Sequence, residues 1–455
     1  MTLLSFLTFI PSVILGSLSV NLIWTEKSLS SLPLKLSLGV GLGLGISSML
    51  HFAMLHISPG KVNPILLQVI LVIALSIVTY YKAGIPKFHN LRLPKLSWLQ
   101  WGLLIAFIAS VIVSILVFVN YVISRPQGAL DAWSIWNRAA RFIHRDPENW
   151  IATLSPDIAL LRHADYPLLI PLNVAWAWDV VGNETLRIPM MQSLLFTLAT
   201  IFLMFSALAF FRTVGQASLA SIILIAVSGV VSSGTYLIAD VPVTYFIFAS
   251  GLLMYLYTQR NEFSFLVLSG FMAGLAGWTK NEGLLFVAIS PVALIISSPK
   301  NLKKAFIYYS SGLLLPLLVI LYFKSIAPPN DLATNSLTDM LRQVMDPSRY
   351  GIILKSFLST LQSREPILLF FYSLFMWRDF NKDHLRGIFV LVIMFSLQVL
   401  GYGFIYLITP YDLEWHLLTS QSRLFMQIVP LALSLCFVIS ADPETVFLER
   451  QKKIT

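Results

Sequence analysis

Apolar residues run along this chain in long blocks separated by short polar interruptions. Blocks of about 20 match the length of a helix that crosses a bilayer. The candidate spans are 1–24, 34–57, 64–81, 99–123, 186–211, 217–238, 241–258, 263–279, 283–298, 305–323, 365–377, 387–410 and 424–440. No Lys, Arg, Asp or Glu interrupts the interior of any of them; the charges collect at the ends and between blocks. The pattern predicts an all-α polytopic membrane protein with thirteen passes. The stretch 1–24 is apolar from its start and carries no basic n-region, so it reads as a span rather than a cleaved signal. Within 34–57, Gly39, Gly41, Gly43 and Gly45 form two overlapping GxxxG pairs, the spacing of close helix packing.

Two connections, roughly 124–185 and 324–364, are too long to be plain loops. In 131–145, Ala132, Trp133, Trp136, Ala140 and Ile143 share one helical face, and Asp131, Arg138 and Arg145 recur on another. This predicts a helix lying in the membrane interface. The segment 166–181 is apolar but short and interrupted by proline, so an interfacial or re-entrant helix is expected there. The chain thus divides into N-terminal transmembrane helices at 1–98 and a core at 99–323 with interfacial helices in 124–185. An outer loop and further transmembrane helices then occupy 324–455.

Composition agrees. Of 455 residues, 57% are hydrophobic and 12% charged, with a mean hydropathy of +0.78. Soluble domains carry roughly a quarter charged residues, so a soluble enzyme, a disordered chain and a disulfide-stapled secreted domain are excluded. The single Cys436 permits no intrachain disulfide. The formal charge of +9 acquires meaning once it is sorted by side. The loops at 25–35, 82–98, 299–304 and 378–386, Arg212, Arg260 and the tail carry a net +10, and the opposite loops a net −1. The excess is an orientation signal that makes the basic side cytoplasmic. It gives no reason to expect nucleic acid as a partner. Thirteen passes then put the N-terminus outside.

Five mixed polar clusters fall on the outer side. They are Asp131 with Arg138; Arg162, His163 and Asp165 in LRHADYP; Asp240 in IADVP; Lys280, Asn281 and Glu282 in GWTKNEG; and Asp412, Glu414, His416 and Arg423 in YDLEWHLLTSQSRL. Charges at a membrane boundary often only anchor helices, but five clusters on one side point to a shared site. Lys280 and Arg423 are suited to holding a phosphate. Asp131 is suited to act as general base towards a hydroxyl. A phosphate leaving group needs cations and no second, acidic carboxyl. The set therefore fits transfer of a group from a lipid phosphate. The chain has no HExxH, CxxC, GxxxxGK[ST] or GxSxG, and its seven histidines show no paired metal-ligand spacing. Two other functions stay open: a transporter or flippase, disfavoured because no charge lies near the bilayer midplane, and a lipid-linked oligosaccharide polymerase or ligase.

These motifs resemble the GT-C superfamily of membrane glycosyltransferases, in the bacterial branch related to protein O-mannosyltransferases and lipid A aminoarabinose transferases. The likeness rests on Asp131 in GALDAWSIWNRAARF, on HADYPLLIP, on the turn Arg187-Ile188-Pro189, on IADVP, and on GLAGWTKNEGLL. It spans about 120–300, with the remainder similar in topology alone. The resemblance implies inverting transfer of a sugar from a polyprenyl-phosphate donor to a hydroxyl acceptor (glycan, lipid or protein), on the extracytoplasmic side of a bacterial inner membrane. It assigns Asp131 the role of base, and gives Asp240 a supporting one that orients the acceptor or a divalent metal ion. Arg138, His163, Asp165, Glu282 and His416 are further expected site members beside Lys280 and Arg423. The family's Asp-Glu pair is here Asp131-Ala132, and helices 1–81 are additional to its plan.

Overall fold

Within lipid, every backbone N–H and C=O must find a partner inside the chain, and a helix satisfies them locally. The computed structural model describes residues 5–446 apart from 6, 84–95, 156–162, 228, 331–334, 362–368, 370–371, 374–375 and 377–381. Among the described residues there is no strand. The helices, in order, are α1 (Ile10–Ile23), α2 (Leu32–Ile57), α3 (Pro64–Ala83), α4 (Trp98–Ser124), α5 (Asn137–Arg145), α6 (Leu169–Val181), α7 (Arg187–Phe211), α8 (Val214–Val227), α9 (Val230–Thr235), α10 (Asp240–Arg260), α11 (Phe263–Thr279), α12 (Asn281–Ser297), α13 (Leu302–Ile326), α14 (Leu337–Val344), α15 (Pro347–Leu361), α16 (Lys382–Leu407) and α17 (Leu413–Ile439). A π-helical turn, Ala132–Trp136, leads into α5.

Eight of the helices are long and apolar enough to cross a membrane, and each falls on an expected span. Four more expected spans coincide with apolar helices too short to be counted among these eight, so the structure supports eight passes of the thirteen expected. The expected span 217–238 is divided between α8 and α9, where Gly229 takes a left-handed φ of +67° and ends the run. The expected span 365–377 lies mostly outside the described residues, as does Arg162.

The centre of the bundle is α10. A helix apolar on every side belongs in the interior, and from Asp240 to Thr258 every residue of α10 is buried. It is wrapped by α2, α7, α11, α12, α16 and α17. Tyr245 fixes it to α2 by donating to the Ser37 carbonyl at 2.7 Å.

The N-terminal helices join this core tightly. A Cβ on Gly43 would stand 1.8 Å from the Ser12 carbonyl oxygen, so α1 and α2 touch through their backbones. Ser12, Ser47 and Gln68 complete the contact with a buried hydrogen-bonded triangle across α1, α2 and α3. Gly43→Val is expected to force α1 from α2 and lower stability by about 1–3 kcal/mol or more. Gly102→Ala, at an exposed position with no neighbour within 4 Å, is expected to be neutral or stabilising by up to about 1 kcal/mol. Thermal unfolding of both variants in detergent checks the contrast.

Candidate active site

The site begins with two breaks in helix structure. Between α11 and α12 the whole connection is Lys280, in extended conformation with φ −159° and ψ 154°. The turn is this tight because Gly283 lies against the backbone of Ala276, where a Cβ would come within 1.9 Å of the carbonyl oxygen. The Lys280 side chain is therefore carried inward. The second break precedes α10, where residues 236–239 leave the helix and Asp240 opens the next one. An acidic residue in a first helical turn is favoured by the helix dipole, yet this one is 0% exposed and needs further partners.

It has three. Asp240 Oδ1 accepts from Lys280 Nζ at 2.8 Å and from Gln427 Nε2 at 3.0 Å, and Oδ2 accepts from Arg423 Nε at 2.7 Å. Arg423 and Gln427 lie one turn apart on α17, and Tyr402 of α16 holds Gln427 by donating to its Oε1 at 2.9 Å. The network extends at both ends. Lys280 Nζ also meets Glu282 Oε1 at 2.6 Å, and Arg423 Nη2 meets Asp131 Oδ2 at 2.8 Å. Burial is complete at Asp240 and falls away to 33% exposure at Arg423 and 31% at Asp131. The chain of charges thus runs from the interior to the protein surface. Burial works to lower the Lys280 pKa, but the negative charges of Asp240 and Glu282 more than offset it, and the value is raised.

Asp131 is brought here by the loop before it. Gly128, at φ +73°, lies where a Cβ would meet the Tyr236 carbonyl oxygen at 2.5 Å, and Ala129 N donates to the same carbonyl at 3.0 Å. The two loops carrying Asp131 and Asp240 are thereby stitched together. Of the apolar face expected in 131–145, Ala132, Trp136, Ala140 and Ile143 are buried at 0–2% exposure and Trp133 faces outward at 42%. The segment opens with the π turn, and the polar Asn137 that follows it is also buried, at 1%. Arg138 lines a shallow cleft with Trp136, Thr153, His163 and Tyr166.

The other expected residues occupy the surroundings of this network. Asp165 is buried and accepts from Asn281 Nδ2 at 2.6 Å and Asn330 Nδ2 at 2.8 Å. Lys324 donates to the Asp165 carbonyl and to Asn281 Oδ1, so Asp165 braces the residue next to Lys280. His163 stacks on Tyr166 with centroids 4.5 Å apart, and Tyr166 stacks on Trp136 at 5.4 Å. His163 holds a left-handed φ of +74°, a strain of roughly 1–3 kcal/mol of the kind that concentrates at functional sites. Burial, then the charges of Glu282 and Asp165, raise the Tyr166 pKa well above its ordinary value, so its phenol stays protonated. His416 stands two turns up α17 from Arg423, bonded to Thr409 at 2.9 Å and packed on Tyr406, apart from the charge network. Gln427, Tyr402, Tyr166 and Lys324 complete the surroundings without having been singled out in the sequence. Gln427 alone had a visible signal, its i+4 spacing from Arg423. Among the described residues no group of three or more His, Cys, Asp or Glu is arranged to hold a metal ion.

A helical membrane protein with a largely buried network of two cations and three carboxylates is consistent with a membrane transferase. Over residues 165–323 the chain matches the family described as dolichyl-phosphate-mannose-protein mannosyltransferase, and is to that extent similar to membrane glycosyltransferases. The match includes Asp165, Asp240, Lys280 and Glu282 and leaves out Asp131 and Arg423. No curated protein and no solved structure matches the chain.

Removing one partner from a buried ion pair strands the other charge, so Lys280→Met is expected to cost about 3–5 kcal/mol. Chemical denaturation in detergent measures it, and an unchanged midpoint would refute the pairing. A raised pKa means the stabilisation is complete below the ordinary lysine value of about 10.4 and is lost only as pH rises through the higher folded value. The stability gap between wild type and Lys280→Met is therefore expected to stay constant from about pH 7 to about pH 10.

Proposed function

We propose that this protein transfers a sugar from a polyprenyl-phosphate donor to a hydroxyl acceptor at the extracytoplasmic face of a bacterial inner membrane, with inversion at the anomeric carbon. The observation that carries this reading is the convergence of Lys280 and Arg423 on one buried carboxylate, with Arg423 also reaching a solvent-facing one. Family similarity over 165–323 supports the donor class, since the family's description contains a polyprenyl-phosphate sugar.

In the resting site both cations are already paired with protein carboxylates. A guanidinium has five N–H donors, of which Nε serves Asp240 and Nη2 serves Asp131. An incoming donor phosphate competes with Asp131 for the outer edge of that guanidinium. As the phosphate takes it, Asp131 loses its counter-ion and becomes free to accept a proton. The acceptor hydroxyl then attacks the anomeric carbon and its proton passes to Asp131. The anomeric C–O bond breaks on the opposite side, its electron pair leaving with the phosphate, where Lys280 and Arg423 neutralise the developing charge. Attack and departure on opposite faces invert the configuration. Asp240 remains in place as the fixed counter-charge that positions both cations. Glu282 shares Lys280, and Asp165 steadies it through Asn281. Arg138 and His163 line the outer cleft beside Tyr166, where the donor or acceptor enters, and His416 flanks the outer end of α17. The steps balance without a cofactor.

Asp131→Asn is expected to reduce transfer by about 100- to 10,000-fold, the range of a lost general base, with the protein still folded and donor binding retained or tightened, because the charge that competes for Arg423 is gone. The assay is incubation with a panel of polyprenyl-phosphate sugars followed by mass analysis of the products. Normal turnover in this variant would sink the mechanism. Vesicles that move a lipid-linked sugar across the bilayer without forming a glycosidic bond would replace transfer with transport.

A further inference from the structure

His163, Tyr166 and Trp136 form a stack of three rings. His163 lies on Tyr166 with planes 11° apart, and Tyr166 lies on Trp136 with planes 20° apart. The outer members of the stack belong to different parts of the chain. Trp136 ends the π turn that follows Asp131, and His163 holds its left-handed backbone three residues before Tyr166. The root of Tyr166 is fixed as well, between the buried, doubly hydrogen-bonded carboxylate of Asp165 and the rigid ring of Pro167. A phenol held on both faces and at its backbone has little choice in where its hydroxyl goes. The charges that act on this one are those of Glu282, Asp165, Arg423 and Asp240, so it stands beside the charge network.

Two other phenols near the network are already committed. Tyr402 donates to Gln427 at 2.9 Å, and Tyr406 is bonded to Ser420 at 2.7 Å. Among the described residues, none accepts a hydrogen bond from the Tyr166 hydroxyl. The residue is half-buried and lines the shallow cleft beside Arg138, so its hydroxyl is approached from the protein surface. A neutral donor in this place has a use that the charges beside it do not fill. With Asp131, Asp240 and Glu282 ionised against Lys280 and Arg423, the network carries one net negative charge. An anion arriving there meets cations that are already paired, and it gains most from donors that serve no carboxylate. The phenol is such a donor. Burial and the neighbouring negative charges keep it protonated, and an O–H that donates to an ionised oxygen forms one of the stronger hydrogen bonds.

We propose that Tyr166 is a catalytic residue whose hydroxyl donates to a non-bridging oxygen of the phosphate that takes the outer edge of Arg423. No proton is transferred in this contact. The hydroxyl keeps its hydrogen and stabilises the electron pair that the breaking anomeric C–O bond leaves on the phosphate, so the contact strengthens as that charge develops. Recognition of a phosphate rests on the stack and the uncommitted donor; that the phosphate is a leaving group rests on the function proposed above. His163 and Trp136 act through Tyr166 as positioning residues, which gives the strained backbone of His163 a purpose.

The test uses the full-length protein in detergent, with geranylgeranyl phosphate as the probe and geranylgeraniol, the same chain without the phosphate, as its control. Phosphorus NMR titration and ligand-induced shifts in thermal unfolding are the readouts. Tyr166→Phe keeps the ring and its stack, and is expected to unfold at the wild-type temperature when no ligand is present. It is expected to bind geranylgeranyl phosphate about ten- to a hundredfold more weakly, the effect of losing one hydrogen bond to a charged group, and to leave geranylgeraniol unaffected. Replacement of Tyr166 by the more acidic 3,5-difluorotyrosine supplies a signature that packing alone does not. Its phosphate binding is expected to fall as pH rises through the lowered phenol pKa, whereas wild type stays level up to about pH 10. Undiminished phosphate binding by Tyr166→Phe, an equal loss for geranylgeraniol, or a pH profile unmoved by fluorination would each overturn the proposal. So would a lower unfolding temperature of ligand-free Tyr166→Phe, which would make the hydroxyl structural. Full transfer by Asp131→Asn would sink the mechanism above while the phosphate measurements stand or fall by themselves, so the two failures are told apart.

Discussion

A carboxylate at zero exposure is the constraint around which this protein is arranged. Asp240 opens a helix whose every face is covered, and an unpaired charge there would be prohibitive. Its partners come from far away in the sequence: Lys280 from the junction of α11 and α12, and Arg423 and Gln427 from α17. Three separate parts of the bundle must therefore be correctly docked before the charge is satisfied. Each of the two cations is shared with a second carboxylate, Glu282 or Asp131. Removal of any one member shifts the balance of all the others, as expected of a polar network in a low-dielectric setting.

Much of the fold was legible because one physical rule, backbone satisfaction in lipid, governs it. Apolar blocks of sufficient length become helices, and eight long helices fall where hydropathy puts them. Periodicity did not reveal the departures from α geometry. At the π turn Ala132–Trp136, Trp133 faces out and the polar Asn137 is buried, although Ala132, Trp136, Ala140 and Ile143 keep the expected face. Gly229 divides a block that reads as one span. Both depend on tertiary packing and on a single backbone choice, which hydrophobic spacing does not register.

The polar clusters were legible for a related reason. In a chain with so few charges, acidic and basic residues mixed at helix ends stand out. Asp131, Asp240, Lys280, Glu282 and Arg423 do meet in one network, with Asp165 joined to it through Asn281. Who pairs with whom was not legible. Arg138, which an unbroken α-helix would place on the same face as Asp131, belongs to a different cleft. Gln427, Tyr402 and Tyr166 are neutral residues of common types in apolar surroundings. Their importance comes from three-dimensional adjacency to Asp240, for which the sequence holds no signal beyond the i+4 spacing of Gln427 from Arg423.

The connection made by Lys280 has a mechanical consequence. A linker of one extended residue has no slack, so the position of its ammonium and the relative tilt of α11 and α12 are a single degree of freedom. Gly283, seated against the backbone of Ala276, locks that joint further. The Lys280 flank is a rigid anvil. Compliance is left to the opposite flank, where the long Arg423 side chain and the partly exposed Asp131 close the network. On the proposed function, adjustment to a bound substrate therefore falls to the Arg423 and Asp131 wall, while the Lys280 wall is the fixed reference from which distances in the site are set.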